Sequence, residues 1–176
     1  ELNLKLEEYL SKINKDYFYI MHLSYNGSEK DRLWDYAREK ALIGLDNPRI
    51  VTDNWSRIRE SAKHRLPDIW VRQFDLFCRE MQSGDIVLIL DGWHSLLSVA
   101  EIAHDTHQYK KELSAKHEFF DHIREVIWIQ NFDLDKSPTL PHRLNGFNNT
   151  LSRVEFGTNR WRDLAKLEIN TSRAHE

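Results

Sequence analysis

Between Gly84 and Gly92 the chain carries five consecutive aliphatic residues, Ile86-Val87-Leu88-Ile89-Leu90, and no other stretch of its 176 residues constrains the fold as tightly. A strand open to water on one face alternates apolar and polar side chains. An unbroken run is what a strand covered on both faces needs. Asp91-Gly92 supplies the positive backbone angles of a tight turn, and Leu96 to Ile102 reads as the returning strand. The hairpin within 83–102 is therefore predicted to lie at the centre of a sheet with material on both sides.

Leu2, Leu6, Leu10 and Ile13 recur at helical spacing and predict an amphipathic helix over 1–15. Tyr17 to Leu23 is aromatic and aliphatic and suits a first buried strand. Ser28 with Asp31 resembles a helix cap, and Leu33, Trp34, Ala37, Ala41 and Leu42 give one apolar face that ends at Gly44. Asn47-Pro48 interrupts, and Ile50-Val51 reads as a short extended piece. Asp53 or Asn54 can cap a basic helical segment from Ser56 to Arg65. Pro67 stands where a helix begins, with Trp70, Phe74, Phe77 and Met81 on its face and Gly84 at its close. After the hairpin, His104 to His117 is a charged insertion. Ile123, Glu125, Ile127 and Ile129 then alternate with Arg124, Val126, Trp128 and Gln130 as a strand. Leu151 to Phe156 reads as the last strand and Asn159 to Leu167 as a terminal helix. This order predicts an α+β fold, a small curled β-sheet or barrel with flanking α-helices. It forms one domain over 1–176 with its core in 17–168.

Several function classes are excluded by what the sequence lacks. There is no phosphate loop, no GxSxG nucleophile turn and no HExxH zinc motif. Asp85, Asp91 and Glu101 lack the nearby lysine of a metal-dependent nuclease and read as turn and cap carboxylates. His104, Asp105, His107, His117 and His122 have the composition of a zinc site but not its spacing, and one cysteine, Cys78, leaves no thiolate partners. We therefore expect no metal, no cofactor and no catalysis. The lone cysteine and the absence of a long apolar run point to a soluble cytoplasmic protein with no membrane partner. The chain opens on Glu1 without a methionine, which reads as a piece of a longer protein.

A net charge of -3 argues against nonspecific nucleic-acid binding by the chain as a whole, so such a role must rest on patches. Arg57, Arg59, Lys63 and Arg65 form one patch, with Lys110, Lys111 and Lys116 in a second. Trp34, Trp70, Trp128 and Trp161 fit core positions. Trp55 and Trp93 stand at element ends, and Tyr25 lies in the first loop; a ring there either completes packing or lines a pocket mouth. Exposed rings beside a cationic track are how proteins hold an unpaired base with its phosphates.

Taken in order, YFYIMHLS, MQSGDIVLIL, LLSVAEI, HIREVIWI and LSRVEFGTNRW resemble the EVE and YTH-like branch of the PUA superfamily, covering most of 17–161. The charged insertion followed by HIREVIWI is most similar to the DNA-recognition domains of McrB-type modification-dependent restriction proteins. The resemblance implies a PUA-like fold that binds a modified base flipped from double-stranded DNA. N6-methyladenine is favoured, with 5-methylcytosine as the alternative. The implied partners are an AAA+ motor in the same chain and a separate nuclease subunit. It places Ser24, Tyr25 and Asn26 in the base-contacting loop and Trp55 near a cage tryptophan, with Trp93 as a further wall. Arg57, Arg59, Lys63, Arg65, Lys110 and Lys111 would meet the nucleic-acid backbone. The chain departs from the YTH pattern in the insertion, where a second cage tryptophan is replaced by Tyr109, Phe119 and Phe120. A methylated-RNA reader of the same fold, a protein-interaction module and an enzyme using the His104 to His122 cluster are the rival readings.

Overall fold

The computed structural model describes residues 3–23, 28–45, 47, 49–91, 95–110, 121–133, 135, 137–140 and 150–170, with 23 and 28–31 as backbone alone. In chain order the elements are β1 (Asn3–Lys5), α1 (Leu6–Lys12), β2 (Tyr17–Leu23), α2 (Ser28–Lys40), β3 (Leu42–Leu45) and α3 (Trp55–Ala62). There follow α4 (Asp68–Asp75), which runs on into a π-helical turn (Leu76–Glu80), β4 (Ile86–Asp91), β5 (Ser95–Ile102) and β6 (Gln108–Tyr109). The chain continues through β7 (His122–Asn131), β8 (Leu151–Glu155), α5 (Asn159–Leu164) and β9 (Glu168–Asn170). The main sheet runs β3-β7-β5-β4-β2-β8, with β6 beside β7, and curls into a half-barrel flanked by helices. The expected α+β curled-sheet architecture is thus the one observed. No helix among the described residues is long and apolar enough to cross a membrane.

Strand β4 is the middle of this sheet, and Ile86 to Leu90 are all buried. Successive side chains enter different cores. Val87 and Ile89 join Tyr19 and Met21 of β2 and the buried residues of α2, α3 and α4 on one face. Ile86, Leu88 and Leu90 join Phe18 and Ile20 with α1, α5 and β9 on the other. The two-residue period of a strand makes this division, and it explains why the run admits no polar residue.

Asp85, just before β4, is fully buried and ties the turn together. Its Oδ1 accepts from Tyr17 Oη at 2.6 Å and from Lys15 Nζ at 2.9 Å, while Oδ2 accepts from the Gln82 amide at 2.9 Å. Gly84 holds a φ of +88 there, a conformation that disfavours any side chain. The carboxylate thus belongs to the fold, as the turn reading of Asp85 expected.

Four features depart from the sequence expectation. The start is not helical throughout: residues 3–5 form β1, which pairs antiparallel with β9. That ribbon extends the ordered fold to 170, beyond the expected core boundary. The helix expected to reach Gly44 stops at Lys40, because Ala41 turns left-handed at φ 54. Its carbonyl accepts from the Val126 amide at 2.9 Å, and Leu42–Leu45 then joins β7 as β3. Finally, the apolar residues of β7 do not share one face. Arg124 and Val126 are buried while Glu125 and Ile127 between and after them are exposed, Ile127 at 49 %. A register shift against β5 between Val99 and Ala100 falls opposite Ile129, which is buried in the other core.

Candidate nucleic-acid interface

Strands β2 and β4 are neighbours and run parallel, in a register that pairs His22 with Leu90 and Leu23 with Asp91. Their ends therefore leave the sheet side by side. The loop bearing Ser24, Tyr25 and Asn26 follows Leu23, and Gly92 and Trp93 follow Asp91. All five lie outside the described residues, but each is joined by covalent bonds to one of two paired strand ends. The chain also returns to this sheet end at Thr150, whose carbonyl accepts from the His22 amide at 2.8 Å.

Trp55 lies elsewhere and is 1 % exposed. Its Nε1 donates to Asp75 Oδ1 at 2.8 Å, and its ring packs at 5.4 Å against Phe74 of α4. Of the two roles open to it in the sequence, packing is the one this conformation provides. Phe74 in turn meets His122, the first residue of β7, edge-on at 4.9 Å. Because β5 is antiparallel to both β4 and β7, the start of β7 lies at the end of the sheet opposite Asp91. The strand exits carrying Ser24, Tyr25, Asn26 and Trp93 are thus brought together, and Trp55 is not brought to them.

The basic residues of α3 divide into two groups. Asn54 caps the helix by accepting from the Arg57 amide at 3.2 Å, as the sequence led us to expect. Arg59 grips Asp75 with two bonds, Nε to Oδ1 at 2.7 Å and Nη2 to Oδ2 at 2.8 Å. Burial pushes the Asp75 carboxyl up, but the bonds from Arg59 and Trp55 outweigh it and hold the group below its ordinary value. Arg59 therefore fastens α3 to α4. Arg57, Lys63 and Arg65 are exposed; Lys63 reaches Glu60 at 3.3 Å and Arg65 the Ser61 hydroxyl at 3.3 Å. These three are exposed and can reach a phosphate, Lys63 by giving up Glu60.

The ring contacts continue from His122 to β6. Tyr109 lies 4.9 Å from the His122 ring, and His107 stacks on it at 5.8 Å and 24°. Lys110 follows directly and is exposed, its amide donating to Asp121 O at 2.7 Å. Lys111 lies outside the described residues. Lys110 and the α3 cations therefore sit at the two ends of one packed series, Trp55-Phe74-His122-Tyr109. Burial pulls His107 down to about 4, helped by the neighbouring His122 and Arg124.

Sequence reasoning missed Arg124. Its buried guanidinium donates to Phe77 O at 2.8 Å and His104 O at 2.6 Å, the first being a carbonyl within the π-helical turn. Its parity with Val126 and Trp128 was the available signal. The described members of the histidine cluster have other partners. His104 reaches Glu125 at 2.9 Å, Asp105 accepts from the Ser83 amide, and His122 Nε2 lies 2.7 Å from Ile50 O. Among the described residues no group of three His, Cys, Asp or Glu could hold a metal ion.

Residues 19–152 match the family model described as Domain of unknown function (DUF8426). No curated protein and no solved structure matches the chain.

Two outcomes follow from this packing. Trp55→Ala should destabilise the protein by about 3 to 5 kcal/mol, read as a lowered denaturant midpoint, because it opens a cavity and removes one of the bonds to Asp75. An unchanged midpoint would mean that the ring is not buried. His107 has a folded pKa of about 4 against an ordinary 6.5, so the unfolded chain binds the extra proton. Its contribution is complete above pH ~6.5 and is lost as the pH falls toward 4. Urea midpoints for His107→Phe, which keeps a ring but cannot titrate, should fall less over that window than those of the natural protein.

Proposed function

The chain belongs to the family of the domain of unknown function DUF8426, and from the two loops it sends off one sheet end we propose that it is a methylated-base reader. It takes a base flipped out of double-stranded DNA, N6-methyladenine in preference to 5-methylcytosine, into a pocket between the loops after β2 and β4. The observation that supports this reading is the parallel pairing of Leu23 with Asp91, the strand ends from which the chain continues into Ser24, Tyr25 and Asn26 and into Gly92 and Trp93. Trp55 then acts as an internal post for α3, and Tyr25 and Trp93 supply the stacking surfaces. The chain serves as the specificity domain of an McrBC-type system, in which an AAA+ motor and a nuclease subunit perform nucleotide hydrolysis and cleavage.

The energies favour a division of labour. Extracting a base costs a few kcal/mol, and stacking it on one or two rings returns on the order of 1 to 3 kcal/mol per ring. Those terms nearly cancel, so phosphate contacts must supply much of the net affinity. Arg57, Lys63, Arg65 and Lys110 support this part of the reading, at the far end of the sheet. A strand of six or seven residues spans ~20 Å, about six steps of a duplex, so one DNA segment can reach both ends. Burying one methyl contributes only about 0.8 kcal/mol, roughly a fourfold preference. Stronger discrimination must come from hydrogen bonds to the base edge, for which Ser24 and Asn26 carry the groups, and from the weaker pairing of N6-methyladenine.

A panel of matched duplexes carrying N6-methyladenine, 5-methylcytosine or neither tests the reading, with the same sequence as RNA alongside. The methylated adenine duplex should bind tightest. Equal affinity across the panel would overturn the reading, and tighter RNA binding would move it to the RNA reader. Replacing Arg57, Lys63 and Arg65 together should weaken every duplex alike and reduce the salt slope by about 2 to 3. An unchanged slope would remove this face from the interface.

A further inference from the structure

We propose that Phe156, laid flat on Trp161, is a second nucleotide contact, a platform on which a base of a single-stranded segment stacks. This rests on the reader assignment above for its biological setting but not for its test. Exposed large hydrophobic residues among those described are Val51, Ile69, Ile127 and Phe156. Phe156 alone is aromatic, and it is 39 % exposed. It is also held in place. Its amide donates to Asp16 O at 3.1 Å, Gly157 turns the chain at φ +87, and Thr158 caps α5 by accepting from the Trp161 amide at 3.3 Å.

The turn brings the Phe156 and Trp161 rings together at 3.9 Å and 19°. Trp161 leans on the fully buried Phe18 at 5.6 Å, so the rings form a pile that rises from the core to the solvent. A flat ring fixed at the surface offers its open face to another flat ring without loss of side-chain freedom. Charges of both signs surround it. Glu155 is paired with Arg153 at 2.8 Å, Arg162 and Lys166 are exposed on and just after α5, and the other acids are Asp163 between them and the exposed Asp16. A flat ligand suits the ring face, and a nucleotide adds a phosphate that Arg162 or Lys166 can meet.

Position completes the case. Glu155 pairs with Tyr17, the first residue of β2, whereas the proposed base pocket lies beyond Leu23 at its other end. The platform is thus ~20 Å from the pocket along the strand, about six nucleotides of a bound strand.

Fluorescence anisotropy with an unmodified oligothymidylate of about a dozen nucleotides tests the platform without any methylated base. Phe156→Ala and Phe156→Leu should each weaken binding about tenfold, and Phe156→Tyr should retain it. Unfolding midpoints identify any variant that has lost its fold, and the leucine variant keeps the apolar packing. Methylated-over-unmethylated preference in duplexes should be unchanged in all three. No oligothymidylate binding by the natural protein, full affinity in Phe156→Leu, or equal binding of a neutral oligosaccharide would overturn the platform. A lost duplex preference with an intact oligothymidylate effect would instead overturn the pocket and leave the platform standing.

Discussion

The burial of β4 on both faces is the constraint from which the remaining architecture follows. A strand whose neighbouring side chains enter two cores needs two covers. The chain supplies α2, α3 and α4 for Val87 and Ile89, and α1, α5 and β9 for Ile86, Leu88 and Leu90. Each fully buried aliphatic side chain contributes about 1.5 to 3 kcal/mol relative to exposure, so five in a row make this strand costly to displace. Asp85 fixes where the strand begins, by binding Lys15 just before β2 and Tyr17 at its start. The same carboxylate thereby sets the β2 to β4 register.

That register has a functional consequence, because β2 and β4 are parallel while β5 returns antiparallel. Two loops that are far apart in sequence depart from adjacent strand ends, and both carry the polar and aromatic residues suited to a base. The opposite end of the sheet carries different chemistry. There α3 is bolted by Trp55, Arg59 and Asp75, leaving Arg57, Lys63 and Arg65 to solvent. In the proposed reader, a sheet with the base pocket at one end and the phosphate contacts at the other would let affinity and selectivity be set by different residues.

Much of this fold was legible in the sequence where an element was long enough to show its period. Strands β2, β4, β5, β7 and β8 and helices α3 and α4 all carry patterns of five or more residues. β1 and β9 have three residues each and show no period, since their stability comes from pairing with each other across the length of the chain. β3 was hidden because Ala41 and Leu42 continue the helical spacing of Leu33, Trp34 and Ala37; nothing local announces that Ala41 turns left-handed. At the site, the cap of α3 and its basic face could be read directly. The burial of Trp55 could not, because it depends on Asp75 twenty residues away on another helix. Arg124 was obscured for a similar reason: its partners are the carbonyl of Phe77, in a π-helical turn that has no sequence signature, and that of His104 beyond β5.

The central claim is that a base is received where β2 and β4 end. Photocrosslinking tests it most directly, using a duplex with a photoreactive base at the modified position, followed by peptide mapping. The account predicts crosslinks in residues 24–26 and 92–94. Crosslinks confined to residues 49–65, or none above an unmodified control, would contradict it.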